Sequence, residues 1–148
     1  MFKHILVSTD GSKLSGKAIR TAARLAGATG ARITGVYVIP SYVPPVYGEG
    51  VMYGPVISPA KYRDAQKRFG QKALAAVERE ARAAGVDFSP AMLAANDPWE
   101  GIVGTAGRKK CDLIVMASHG RRGLASLLLG SETVKVLTHS KIPVLVCR

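Results

Sequence analysis

The chain has 148 residues, 47% of them hydrophobic, and a formal net charge of +11. That length suits one domain with a core of its own, and no apolar run reaches the roughly 18–20 residues needed to span a bilayer. The basic residues are spread along the chain with no interleaved aromatics, so a nucleic-acid partner is not expected and most of the charge reads as solvated surface.

In chain order, the first strand is expected over residues 2–9, a short apolar run that ends at Asp10-Gly11. A helix follows over about 12–26, with Leu14, Ala18, Ala22, Leu25 and Ala26 on one side and stop signals at Gly27 and Gly30. The second strand covers 32–39 and is closed by Pro40. Residues 40–59 hold several Pro, Gly and Tyr residues, Tyr42, Tyr47 and Tyr53 among them, and read as a long loop. Ser58-Pro59 opens the second helix, a cap followed by proline at the first helical position, and Gly85 ends it. Along it Tyr62, Ala65, Phe69, Ala73, Ala76, Ala81 and Ala84 recur at helical spacing. The third strand is expected over 86–93. Asp97-Pro98-Trp99-Glu100 has the pattern of a capping box for the third helix. The fourth strand is read over 112–117, the fourth helix over 132–139 and the fifth strand over 143–147.

Strands that alternate with helices imply an α/β chain: a Rossmann-like, five-stranded parallel sheet with right-handed crossovers and helices on both faces. In the strand order 3-2-1-4-5, ligands bind beyond the carboxyl ends of strands 1 and 4, where the order reverses. Two loops should therefore share one crevice, 9–12 and 117–120.

The second of these loops is the more informative. Ala117-Ser118-His119-Gly120 follows a buried strand, and nine residues later Gly130-Ser131 precedes a helix. Glycine lets backbone N–H groups approach a phosphate closely, and Ser131 can cap the helix and donate its hydroxyl. Opposite, Asp10 can accept hydrogen bonds from a ribose hydroxyl or an adenine amino group, or serve as a turn or cap. Arg121 or Arg122 can pair with a terminal phosphate.

Other patterns carry less. Gly11 to Lys17 imitates a Walker A loop, but Ala18 stands where the magnesium-binding hydroxyl belongs and helical patterning already begins at Leu14. Gly101, Gly104 and Gly107 lie inside a helix with no strand leading into them, so they suggest close helix–sheet packing. Ser118 and His119 are sequence neighbours with no third orienting group, which argues against a hydrolase. Two cysteines, Cys111 and Cys147, and three histidines show no metal-ligand spacing. The cysteines are expected to be reduced thiols, and the N-terminus lacks a signal-peptide pattern, so the expected compartment is the cytoplasm.

Taken together the chain resembles the universal stress protein family along nearly its whole length. The resemblance rests on residues 2–12, Gly35-Val36-Tyr37-Val38, Asn96-Asp97-Pro98, the run from Asp112 to Gly120, Gly130-Ser131 and 142–146. The family's nucleotide-binding branch carries G-x2-G-x9-G-[ST]; here Gly120, Gly130 and Ser131 match, and Ala117 replaces the first glycine. The resemblance implies that Asp10 meets the ribose or adenine side, that the Val38 backbone pairs with the adenine edge, and that Ala117, Gly120, Gly130 and Ser131 surround phosphates. Ser8, Thr9, Met116, Arg121 and Glu132 flank these positions and complete the candidate set. It also implies ATP, with or without Mg2+, as ligand, a regulatory role rather than turnover, and a homodimer formed through strand 143–147. AMP or cyclic AMP as ligand, a nucleotide-free scaffold and a slow ATPase are the alternatives.

Overall fold

The computed structural model describes residues 1–43, 57–120 and 129–148. Most of the expected loop over 40–59, including Tyr47 and Tyr53, lies outside the described residues, as do Arg121 and Arg122. The elements are β1 (His4–Ser8), α1 (Lys13–Thr29), β2 (Arg32–Pro40), α2 (Pro59–Ala83), β3 (Phe88–Ala95), α3 (Pro98–Arg108), β4 (Leu113–Ala117), α4 (Ser131–His139) and β5 (Val144–Cys147). The five strands pair in parallel in the order β3-β2-β1-β4-β5. Among the described residues, no helix is long and apolar enough to cross a membrane.

Successive residues of a strand point to opposite faces of the sheet, and both faces here are apolar. Ile5 and Val7 of β1, with Leu113 and Val115 of β4, pack under Ala18, Ile19, Ala22 and Ala26 of α1 and Val77 and Ala81 of α2. Leu6, Val36, Ile114 and Met116 face the other way, against Ile102 and Ala106 of α3 and Val136 of α4. Full burial of each large aliphatic side chain contributes about 1.5–3 kcal/mol. The alanines of α1 let that helix lie close to the central strands.

Several boundaries differ from expectation. Helix α1 continues through Gly27 to Thr29, because Gly30 is the residue that adopts the left-handed conformation (φ 69°) and returns its N–H to Ala26. Ser12 sits outside α1 as its cap, accepting from the Ser15 N–H at 3.1 Å. Strand β3 begins two residues later than expected, at Phe88, since Gly85 takes a positive φ of 66° and the chain needs Val86 and Asp87 to reach the sheet. The packing role expected of the α3 glycines belongs to Gly101 alone. A Cβ there would fall 2.7 Å from Val38 Cγ2, whereas at Gly107 it would meet nothing.

At the amino end of the sheet His4 is buried, and its Nε2 lies 2.8 Å from Thr34 Oγ1, which in turn is 2.9 Å from Ser89 Oγ. Its Nδ1 is buried, with the Lys109 backbone the one hydrogen-bonding group that acts on the ring against the effect of burial. Burial, reinforced by the nearby Arg32 guanidinium, lowers the imidazole pKa below its ordinary value. The fold therefore favours neutral His4, and the unfolded chain takes up the proton more readily. This stabilisation is complete above the ordinary histidine value of about 6.5 and is lost as pH falls through the lowered folded-state value. Melting temperatures at pH 7.5 and pH 5.5 should show a drop in the natural chain and a shallower drop in His4→Gln; equal drops would contradict this role.

Candidate functional site

Strand β1 ends where Thr9 donates its N–H to the Val36 carbonyl at 3.0 Å. The Thr9 hydroxyl then organises the turn: it accepts from Gly11 N–H at 3.1 Å and lies 3.2 Å from Ser15 Oγ. Gly11 makes the turn possible, with a φ of 76° that most side chains disfavour. Asp10 is held at the crest of this turn, its Oδ1 accepting from Ser12 N–H at 3.0 Å. The turn reading of Asp10 therefore holds, whereas the helix cap is Ser12.

The other carboxylate oxygen of Asp10 reaches across the switch point. A Cβ built on Gly120 would fall 2.7 Å from Asp10 Oδ2. The structure thus brings together the two loops that the strand order required to meet. Gly120 has no positive φ, so what it supplies is room.

The β4 loop is anchored through Ser118, which is buried. Its N–H donates to the Cys147 carbonyl of β5 at 2.7 Å, and its carbonyl accepts from Gly130 N–H at 2.7 Å. The Thr133 hydroxyl lies 3.0 Å from the same carbonyl and 3.1 Å from that of Ala117, sharing its proton between them. A buried acceptor left without a donor costs about 1–3 kcal/mol, so Thr133 fixes the start of α4 against the end of β4. Sequence reasoning missed it; the available signal was a threonine three residues before the apolar Val136, on the buried face of α4.

Gly130, not Ser131, is the N-cap of α4, with extended backbone (φ −74°, ψ 156°), and Ser131 is the first helical residue. The reason is spatial: a Cβ at Gly130 would lie 3.1 Å from both Cα and Cβ of His119. The Gly130 N–H is committed to Ser118, so an anion here would meet the amides of Ser131, Glu132 and Thr133. A helix leaves those first-turn donors without intrahelical partners, at the positive end of its dipole. Ser131 itself is exposed.

Glu132 turns away to a structural contact. Its Oε2 accepts from Trp99 N–H at 2.8 Å, in the first turn of α3. Its Oε1 lies 3.2 Å from Lys135 Nζ, which also lies 3.2 Å from Asp97 Oδ1. These two carboxylates, Glu132 first, hold the Lys135 ammonium above its ordinary pKa. The capping box expected at Asp97 is accordingly absent. Asp97 is the N-cap residue of α3 but makes no cap hydrogen bond with its side chain, because that carboxylate faces Lys135 and Glu132 supplies the cap from α4.

The remaining candidates differ in what they present. In a parallel strand, alternate residues direct both backbone groups to the same neighbour. Val36 faces β1, so Val38 does too, but the β1–β2 pairing ends at Ser8 and Val36. The Val38 N–H and C=O therefore point past the end of β1, into the crevice. Ser8 is half-buried at that end. Met116 is packed in the core beneath α3 and α4, and Ala117 is buried with its carbonyl on Thr133. His119 Nδ1 lies 3.1 Å from Ser118 Oγ.

A model of the universal stress protein family matches residues 1–148. The chain belongs to the universal stress protein family. Among curated relatives, a universal stress protein of Methanocaldococcus jannaschii is 33% identical over 151 residues, spanning the whole of this chain and 83% of the relative. A universal stress protein of Bacillus subtilis is 33% identical over 149 residues and spans both chains fully. Among solved structures, a universal stress protein from Burkholderia pseudomallei superposes with a TM-score of 0.75 at 27% identity, covering 97% of this chain and 94% of that one. A universal stress protein solved in complex with cAMP gives a TM-score of 0.72 at 26% identity over 99% and 97% of the two chains. The universal stress protein fold therefore accounts for the sheet, its order and the helices on both faces.

Proposed function

We propose that the crevice between the β1 and β4 loops binds an adenine nucleotide, ATP with or without Mg2+, and that the protein acts as a regulator of a stress response. The observation that carries this reading is the approach of Asp10 Oδ2 to Gly120, which sets a carboxylate beside a glycine-lined loop at the switch point. The Val38 backbone would take the adenine edge, Asp10 the ribose, and the Gly120 loop with the first turn of α4 the phosphates. Support for regulation rather than turnover is that, among the described residues, no carboxylate hydrogen-bonds His119 to orient it as a base; its Nδ1 lies 3.1 Å from Ser118 Oγ.

A second reading is favoured by one substitution and one relative. Ala117 stands in place of the first glycine of the nucleotide-binding pattern, which alters the phosphate end of the site, and a solved relative holds cAMP. Cyclic AMP or AMP is the ligand on this reading, and the adenine end of the crevice is unchanged.

A homodimer is part of the proposal. Strand β5 is an edge of the sheet, and unpaired edges pair readily with a second copy. Leu145 on it, with Val134 and Leu137 on the adjoining α4, is exposed at 37%, 46% and 42%. Sedimentation equilibrium at micromolar concentrations should return twice the chain mass; the mass of one chain would contradict the dimer.

Isothermal titration of nucleotide-stripped protein with magnesium-ATP, AMP and cyclic AMP tests the ligand. Saturable binding near one nucleotide per chain is expected, weakened at least about tenfold, about 1.4 kcal/mol, in Asp10→Ala and in Gly130→Glu. Unchanged affinity in both variants would place the ligand elsewhere, and tighter cyclic AMP than ATP would select the second reading.

A further inference from the structure

Helix α1 carries Lys13, Lys17, Arg20 and Arg24 and no acidic residue. Lys17, Arg20, Thr21 and Arg24 share one face of it, at the i, i+3, i+4 and i+7 spacing of a helical stripe. That face and the end of β5, through Cys147 and Arg148, line a groove of about 330 Å³. None of these residues belongs to the crevice described above. Among the described residues, none of the four cations forms an ion pair.

Four cationic side chains around one concave surface repel one another unless an anion joins them. Among the described residues that line the groove, four side chains are cationic and none is acidic, a surplus of four positive charges. A single carboxylate cannot balance that surplus, whereas a chain of linked phosphates can. Three of the four cations are arginines, whose forked donors match phosphate oxygens in pairs, and Thr21 adds a hydroxyl donor. The stripe from Lys17 to Arg24 rises about 10 Å along the helix, which gives an extended anion successive contacts. Among the described residues no aromatic side chain lines the groove, so these residues offer no platform on which a base would stack.

We propose that Lys17, Arg20, Arg24 and Arg148 form a second anion site, separate from the nucleotide crevice, for a short, extended oligophosphate. The phosphate chain is the recognised group, whether free or carried by a nucleotide.

Tripolyphosphate is the probe, titrated at low salt into the natural protein, an Arg20→Glu/Arg24→Glu variant and Gly130→Glu. The expected result is saturable binding that weakens at least about tenfold in the double variant and persists in Gly130→Glu. Arg20 and Arg24 are exposed, and Arg20→Gln/Arg24→Gln provides the same test without adding negative charge. Titrating ATP into Gly130→Glu separates the sources: weaker ATP than tripolyphosphate binding assigns the groove to free oligophosphate, and tighter ATP binding to a nucleotide's phosphate tail. Undetectable binding to the natural protein, or equal binding to the double variant, would overturn the proposal. So would loss of binding in Gly130→Glu instead. A single-stranded oligonucleotide that binds more tightly than tripolyphosphate, and is lost in the double variant, would replace it with a nucleic-acid surface.

Discussion

The Ser118 peptide ties three elements at one point. Its N–H is bonded to β5 and its carbonyl receives donors from Gly130 and Thr133 at the start of α4. Because Ser118 is buried, these bonds are made away from water, where leaving one unmade is costly. They fix where α4 begins and which way its first-turn amides point. They also hold the chain that leads to Gly120, and so place Gly120 against Asp10. The candidate crevice therefore depends on backbone bonds around a serine whose own hydroxyl is occupied by His119.

Small residues at these contacts have a consistent meaning. Gly120 and Gly130 have ordinary backbone angles, and each stands where a Cβ would press on the opposite loop. Gly101 does the same for α3 against Val38. Ala117 differs from these: it is buried within β4, and what it offers its neighbours is a carbonyl taken by Thr133. The alanine at this glycine position is thus built into the strand end.

Much of the fold was legible because its signals are local. Apolar runs broken by Pro and Gly marked the strands, and Ser58-Pro59 marked the start of α2. Strand–helix alternation then gave the parallel sheet and its switch point. Legibility failed where a partner comes from far along the chain. Asp97 has the sequence of a cap, yet Glu132 performs the capping, and no pattern near Asp97 records that. Thr133 looks like an ordinary helical threonine until its two carbonyl partners are known. The basic groove joins a helix near the start of the chain to Arg148 at its other end, so charges that seemed dispersed are gathered by folding. The proposed roles of Asp10, Val38, Gly120, Gly130 and Ser131 rest on where the elements put them, and the roles of Arg121 and the long loop fall outside the described residues.

The most direct measurement is an amide-resolved NMR titration of isotope-labelled, nucleotide-stripped protein with magnesium-ATP. Shifts should concentrate at Asp10, Val38, Gly120, Ser131 and Glu132, the positions proposed to line the crevice from the ends of β1, β2 and β4 and the start of α4. Shifts confined to the amino end of the sheet or to α2, or none at millimolar nucleotide, would contradict the assignment of the crevice.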